Sequence, residues 1–264
     1  MDSKKGHYMR MSPLILGLFN AKDGIPYPRR ETVTLRYKTQ LEAIQKIIPE
    51  CFKVTNPTVS VSVVYNDGVQ DLAYRSYSLA TFQVPARYEG ERDTVEGSYS
   101  IVMYENNTTP IIGGREFIGI PKLYSDISPV RLLPDGRIRC ETSIYGYQLF
   151  GIEVDANEKQ DESVVEAWNK RNNIQNLLGY KYIPSLEGPP DCAYPILTPS
   201  EISLKELWTG KEGGLYFGDA GYDDVGQHSN VVEALKSLEV KEVLGVSHSF
   251  SSTRLRIDKA HRIS

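Results

Sequence analysis

Metal-ligand spacing, a paired-cysteine framework and a strong charge bias are all missing from this 264-residue chain. Its three cysteines, Cys51, Cys140 and Cys192, are odd in number and far apart. That spacing excludes a disulfide scaffold and a cysteine zinc site, and it favours a reducing, cytoplasmic setting. The four histidines, His7, His228, His248 and His261, form no HExxH pair. Asp219, Asp223 and Asp224 lack the closing glutamate of a calcium loop, so no metal is expected. A net charge of −4 with dispersed Lys and Arg gives no electrostatic footing for nucleic acid. No apolar run reaches the length of a membrane span. The run Met11–Phe19 contains Pro13 and continues into Asn20-Ala-Lys-Asp without a small-residue cleavage pattern. It reads as part of an ordered N-terminal arm, residues 1–24, rather than a signal peptide. GxGxxG, P-loop and GxSxG motifs are absent as well, which removes the commonest nucleotide and serine-hydrolase classes; no cofactor is expected.

What is present is mostly strand. Thr32–Tyr37 and Thr58–Tyr65 alternate apolar and polar residues, as half-buried strands do. The second runs into Asn66-Asp67-Gly68, a turn signal that predicts a hairpin. Further strands are expected over Leu72–Val84, Ser98–Tyr104 and Arg137–Val154. Thr39-Gln-Leu-Glu42 has the pattern of a capping box opening a short helix, with Leu41, Ile44 and Ile48 on one face and Pro49 at its end. Two more helices are expected, one from Ser229 through Leu235 and one within Ser163–Arg171. Gly213-Gly214 reads as a hairpin turn, and Tyr182–Pro199 as a proline-rich excursion between strands. The sequons at Asn106 and Asn107 read as a polar turn. One mostly-β (α+β) domain over residues 1–264 follows, a closed or nearly closed sheet with a few helices over it.

The stretch GGREFIGIPKL, residues 113–123, sets one lysine, Lys122, among Phe117, Ile118, Ile120, Pro121 and Leu123. A lysine there is either a surface cation with its stem on apolar neighbours or an amine kept out of water. The stretch resembles the signature of the acetoacetate decarboxylase superfamily, a Gly-Arg-Glu followed after a short apolar run by Pro-Lys. Three more segments resemble that family in the right order. They are Pro28-Arg-Arg-Glu31 with Val33–Thr39 and Ile47–Glu50, then Lys205–Gly210, then Val240–Val243 with Ser247-His248. Together they cover roughly residues 25–255.

The resemblance implies a cone-shaped β-barrel with an internal active site, assembled into homo-oligomers and acting on a small keto acid. It gives Lys122 the position of the imine-forming lysine. Arg30 (Arg29 if the register slips by one) takes that of the family's barrel arginine. Tyr27, Met103, Phe117, Ile118 and Ile120 would shape the pocket. Arg115 and Glu116 would pair with each other and hold the loop. An amine that attacks a ketone must be unprotonated, against a reference pKa of about 10.4. Acetoacetate decarboxylase is a standard example of a lysine activated by a second cation or by loss of water. Where the family commonly has a second lysine this chain has Leu123, which leaves desolvation as the expected means. The two glutamates of the decarboxylases fall near Ser62 and Leu79, neither acidic, so the carboxylate network is expected to be missing. Decarboxylation of a β-keto acid asks least of the residues that remain. The alternatives are a pyruvate aldolase-dehydratase working through an enamine, and a barrel that binds a keto acid without chemistry.

Overall fold

The structure is a computed structural model describing residues 23–264 and the backbone of a two-residue ladder, Tyr8–Met9 against Phe19–Asn20. The rest of the expected arm, residues 1–24, lies outside the described residues. Seven long strands dominate: β1 (Ile25–Lys38), β2 (Thr58–Val69), β3 (Arg75–Glu89), β4 (Thr94–Glu105), β8 (Ile174–Ile183), β9 (Cys192–Gly210) and β11 (Glu242–Leu255). The short β5 (Lys122–Tyr124) joins the same sheet. A smaller sheet holds β6 (Ile138–Ile144), β7 (Tyr147–Val154) and β10 (Gly213–Phe217). The helices are α1 (Leu41–Gln45), α2 (Thr108–Glu116), α3 (Glu162–Asn172), α4 (Tyr222–Val225) and α5 (His228–Lys236).

Pairing in the large sheet runs β1–β2–β3–β4–β8–β9–β11 and returns to β1, so the strands form a nearly closed ring. The weak point is between β4 and β8. These two are parallel and share only the pairs Ser98–Leu177 and Tyr99–Leu178. Beyond them the upper edge of β4 pairs with β5 instead, through Met103–Lys122, Tyr104–Leu123 and Glu105–Tyr124. The lysine motif therefore fills the gap in the ring.

Strand alternation gives the ring two faces. On one, Val33, Leu35, Val61, Val63, Ala80, Phe82, Val102 and Tyr104 pack against Cys140, Phe150 and Ile152 of the smaller sheet. The other face collects a second, smaller cluster that includes Val64, Leu79, Met103, Ile118 and Ile120. Each of these side chains contributes roughly 1.5–3 kcal/mol by leaving water. That is enough to pin the Ile118–Ile120 segment to the sheet.

Several local expectations need correction. The Asn66-Asp67-Gly68 signal marks no hairpin. β2 continues through it to Val69, with a register shift between Asn66 and Val69 and Gly68 at φ 72°. A bulge uses the left-handed glycine that a turn would have used. The capping box does not form. Thr39 is tied by its N–H to Pro57, its buried hydroxyl has no partner among the described residues, and Leu41 is exposed while Ile44 and Ile48 are buried. Gly213-Gly214 opens strand β10, where a Cβ on Gly213 would meet Val246 at 2.7 Å. The excursion is shorter than expected, because β9 already begins at Cys192 and includes Pro195 and Pro199. Helix α2 was not anticipated, since Pro110, Gly113 and Gly114 all argue against one. Pro110 sits in the first turn, where a proline costs least. Asn107 caps the helix by accepting from the Thr109 N–H at 3.0 Å. Asn106 meanwhile accepts from the Ser78 N–H at 2.8 Å, so the sequon pair is a cap and a tether.

Candidate active site

Four devices place Lys122, and each uses a residue of the 113–123 stretch. A Cβ on Gly114 would run into the Lys122 stem, so the bare backbone of α2 makes room for it. The Gly114 carbonyl accepts from the Ile120 N–H at 3.0 Å, folding the segment back on the helix. Gly119, at φ 66°, lies so close to Tyr180 and Lys181 that a side chain would strike their backbone, and its carbonyl accepts from the Tyr180 N–H at 2.9 Å. Arg115 donates to the Lys122 carbonyl at 2.9 Å. The expected Arg115–Glu116 pair is not formed among the described residues, and Glu116 is only half-buried. The motif arginine reaches the backbone of the lysine directly, which makes an acidic partner unnecessary for its anchoring.

Lys122 is 8% exposed. Nζ donates to Glu105 Oε1 at 2.8 Å and to the Pro110 carbonyl at 2.9 Å. Glu105 is fully buried at the end of β4, and its Oε2 has no partner among the described residues. Burial pushes the Glu105 carboxyl up, while the Lys122 charge and hydrogen bond pull it back only in part. One expectation fails here, because a carboxylate is present at the lysine after all. Leu123, next to it, packs on the opposite face of the sheet, against the larger cluster. Ser62 and Leu79 do stand where no acid was expected: Ser62 bonds Thr34 at 2.9 Å, and Leu79 joins the second cluster.

Across the same face, Arg30, Asn66 and Tyr77 form one cross-strand row on β1, β2 and β3. Arg30 has no carboxylate partner among the described residues; Nη1 reaches Thr253 Oγ1 at 3.4 Å. Burial pulls its guanidinium below the usual range, and Tyr77 and Tyr27 pull it back up. The register question resolves in favour of Arg30, because Arg29 points outward to an exposed pair with Asp67. Burial raises the Tyr27 phenol to about 12 and Tyr77 well above the ordinary value, with the Glu105 charge adding to both. Their hydroxyls lie 3.5 Å apart.

Of the residues singled out from sequence, Met103, Ile118 and Ile120 form the second cluster, and Tyr27 and Phe117 pack against it. Lys122 and Arg30 face it from the strands around it. Sequence reasoning missed Glu105, Tyr77 and Asn66. Extending the predicted Ser98–Tyr104 strand by one residue would have put Glu105 on the Met103 face. No group of three metal-ligating side chains converges among the described residues. No helix among them is long and apolar enough to cross a membrane. A buried amine beside a buried acid, on the same face of the sheet as an arginine without an anion among the described residues, can condense with a ketone, pass a proton and hold a carboxylate.

Comparison with known proteins adds three findings. A family described as acetoacetate decarboxylase matches residues 18–262. The acetoacetate decarboxylase of Clostridium acetobutylicum is 27% identical over 230 residues, covering 84% of this chain and 82% of that protein. Among solved structures, acetoacetate decarboxylase from Legionella pneumophila superposes with a TM-score of 0.72 at 20% identity, covering 100% of this chain and 98% of that one. The enduracididine biosynthesis enzyme MppR, complexed with the condensation product of pyruvate and imidazole 4-carboxaldehyde, superposes with a TM-score of 0.68 at 18% identity, covering 98% and 97%.

Proposed function

The chain belongs to the acetoacetate decarboxylase family, and we propose that it is an imine-forming lyase that decarboxylates a small β-keto acid. The observation that carries this reading is the hydrogen bond from a buried Lys122 Nζ to a buried Glu105. The neutral amine attacks the ketone carbon, and loss of water leaves an iminium. The proton that must leave Nζ has an acceptor 2.8 Å away in Glu105. The C–C bond to the carboxylate then breaks, CO2 leaves, and the electron pair passes into the iminium to give an enamine. The proton taken from Nζ has by then left, with one from solvent, in the expelled water. Glu105 therefore takes a fresh proton from solvent and gives it to the enamine carbon, and water hydrolyses the resulting iminium to release the ketone. Arg30 attracts the substrate carboxylate, and the apolar cluster excludes water from the iminium. Tyr27 and Tyr77, with raised phenols, stay neutral donors through the working pH range.

Glu105 also favours a second reading. An acid beside the amine can move protons on and off the carbon of a pyruvate enamine, which is what condensation with an aldehyde requires. MppR, of the same fold, was solved with such a condensation product bound. The test of the shared chemistry is borohydride trapping with a panel of β-keto and 2-oxo acids, followed by mass spectrometry. The adduct is expected on Lys122 and is expected to be lost in Lys122→Ala. Lys122→Arg should be equally silent, because a guanidinium stays protonated. Full turnover by Lys122→Ala would overturn the mechanism and leave a keto-acid binding barrel.

A further inference from the structure

Eight buried side-chain atoms lack a hydrogen-bond partner among the described residues, and two of them, Nδ2 and Oδ1, belong to Asn66. The residue is 2% exposed. A buried amide with both ends unpaired carries the full desolvation cost of each group, so it marks a place where a partner belongs. Asn66 shares the face of Val64, because β2 alternates, and it stands between Arg30 and Tyr77 in the cross-strand row. Arg30 in the same row has no anion among the described residues. Two unmet recognition groups thus lie side by side on the face of the sheet that also carries Lys122.

Their needs differ. A guanidinium is satisfied by a carboxylate. A carboxylate cannot satisfy Asn66, because Nδ2 would gain an acceptor while Oδ1 would still lack a donor. We infer that Asn66 is a specificity residue for a substituent that both donates and accepts, a hydroxyl or a carboxamide on the keto acid's chain. Neighbouring residues in such a row stand about 5 Å apart at Cβ. The substituent therefore lies three or four bonds from the carboxylate that Arg30 holds. A hydroxyl meets both amide atoms in turn; a carboxamide meets both at once in a planar pair. Acetoacetate carries neither group, so the preferred substrate is a more functionalised acid.

This inference rests on the keto-acid reading above, and the test separates the two. The probes are 2-oxo acids, which form imines without losing CO2, used as matched pairs. One pair is 4-hydroxy-2-oxobutanoate with 2-oxobutanoate; the other is 2-oxoglutaramate with 2-oxohexanoate. Borohydride trapping at limiting concentration should favour the polar member of at least one pair by on the order of tenfold or more. In Asn66→Leu, and in Asn66→Ala as the second variant, the ratio should fall to near one. Calorimetric binding of the same pairs to Lys122→Ala should show the same preference without an imine. Equal trapping of both members by the wild-type protein would overturn the inference, as would a preference that survives both Asn66 variants. Absence of any adduct would overturn the keto-acid reading instead, and the calorimetric ratio would then decide Asn66 by itself. The hydroxyl and carboxamide pairs report separately, so they also identify which group is recognised.

Discussion

Leu79 on β3 lies opposite Glu105 on β4, so the acid beside Lys122 enters from the strand next to the position that lacks one. Leu79 carries no acid, and its cross-strand partner supplies the carboxylate beside the lysine instead. Glu105→Gln keeps the shape and an acceptor for Nζ but cannot carry a proton. Turnover should fall by roughly 10²–10⁴, while slow borohydride labelling of Lys122 persists. Burial holds the Glu105 carboxyl above its ordinary value. The acid limb of the wild-type rate profile should therefore lie above the usual carboxylate range and be absent in Glu105→Gln. Undiminished turnover in that variant would remove Glu105 from the proton path.

Gly113 and Gly114 are neighbours in α2 with opposite expected behaviour. A Cβ on Gly113 meets nothing within 4 Å, whereas one on Gly114 meets the Lys122 stem, with Nζ at 2.7 Å. Gly113→Ala should stabilise the protein by about 0.5–1 kcal/mol through helix propensity and leave labelling of Lys122 alone. Gly114→Ala should push the amine from Glu105 and cut labelling at least about tenfold, since misplacement by about 1 Å can cost a hundredfold. Urea titration and trapping of the two variants check both halves. Similar trapping in both would show that the lysine stem has room to move.

Removing one partner of the Lys122–Glu105 pair should hurt more than removing both. Lys122→Met leaves a fully buried carboxylate without its cation, and breaking a buried pair costs roughly 3–5 kcal/mol. The direction with pH follows from the raised Glu105 carboxyl, which Lys122 no longer pulls down. The folded state then keeps a proton that the unfolded chain releases near pH 4.3. Stability should fall as pH rises above about 4.3 and level off once the folded carboxyl has ionised. Denaturation of Lys122→Met at several pH values should show this slope, and Lys122→Met with Glu105→Gln should abolish it.

The legible and illegible parts of the site differ for physical reasons. Lys122, Arg30, Met103, Ile118 and Ile120 could be read because a motif or an alternating strand carries each of them. Glu105 and Asn66 could not, because both sit at a strand's polar end. Glu-Asn-Asn looks like the exit from a strand, and Asn-Asp-Gly looks like a hairpin. In the fold, β4 keeps Glu105 in register with Leu79, and a bulge at Gly68 lets β2 continue, so both polar side chains turn inward. Helix α2 was hidden by composition, since Gly114 makes room for the lysine stem rather than serving the helix. The ring itself was legible from alternation and resemblance, and the gap that β5 fills was not.

Arg29 and Arg30 offer an internal control for carboxylate recognition. Arg29 is paired with Asp67 at the surface, and exposed pairs contribute about 0–1 kcal/mol. Arg29→Gln should therefore leave stability and kinetics nearly unchanged. Arg30→Gln removes the half-buried cation, and a hydrogen bond to a charged group contributes roughly 1.5–3 kcal/mol. The KM for a keto acid should rise about tenfold to a hundredfold, and trapping of a simple ketone should change much less. Equal losses for acid and ketone would assign Arg30 a purely structural role.

The choice between decarboxylation and condensation rests on what happens to the enamine once Glu105 holds a proton. In the first reaction the enamine forms by loss of CO2 and needs one proton at carbon. In the second it forms by loss of a methyl proton from bound pyruvate, and Glu105 must accept before it can donate. Proton NMR in D2O separates them, with Lys122→Ala as the blank. A decarboxylase should convert a β-keto acid to a ketone carrying one deuterium per turnover, faster than the uncatalysed loss. A condensing enzyme should exchange the methyl protons of pyruvate alone, and with an aldehyde present should yield an unsaturated 2-oxo acid without releasing CO2. Exchange should be lost in Glu105→Gln, because no other carboxylate bonds the amine among the described residues. Lysine-dependent exchange and condensation, with every β-keto acid inert, would replace the decarboxylase reading with the aldolase-dehydratase one.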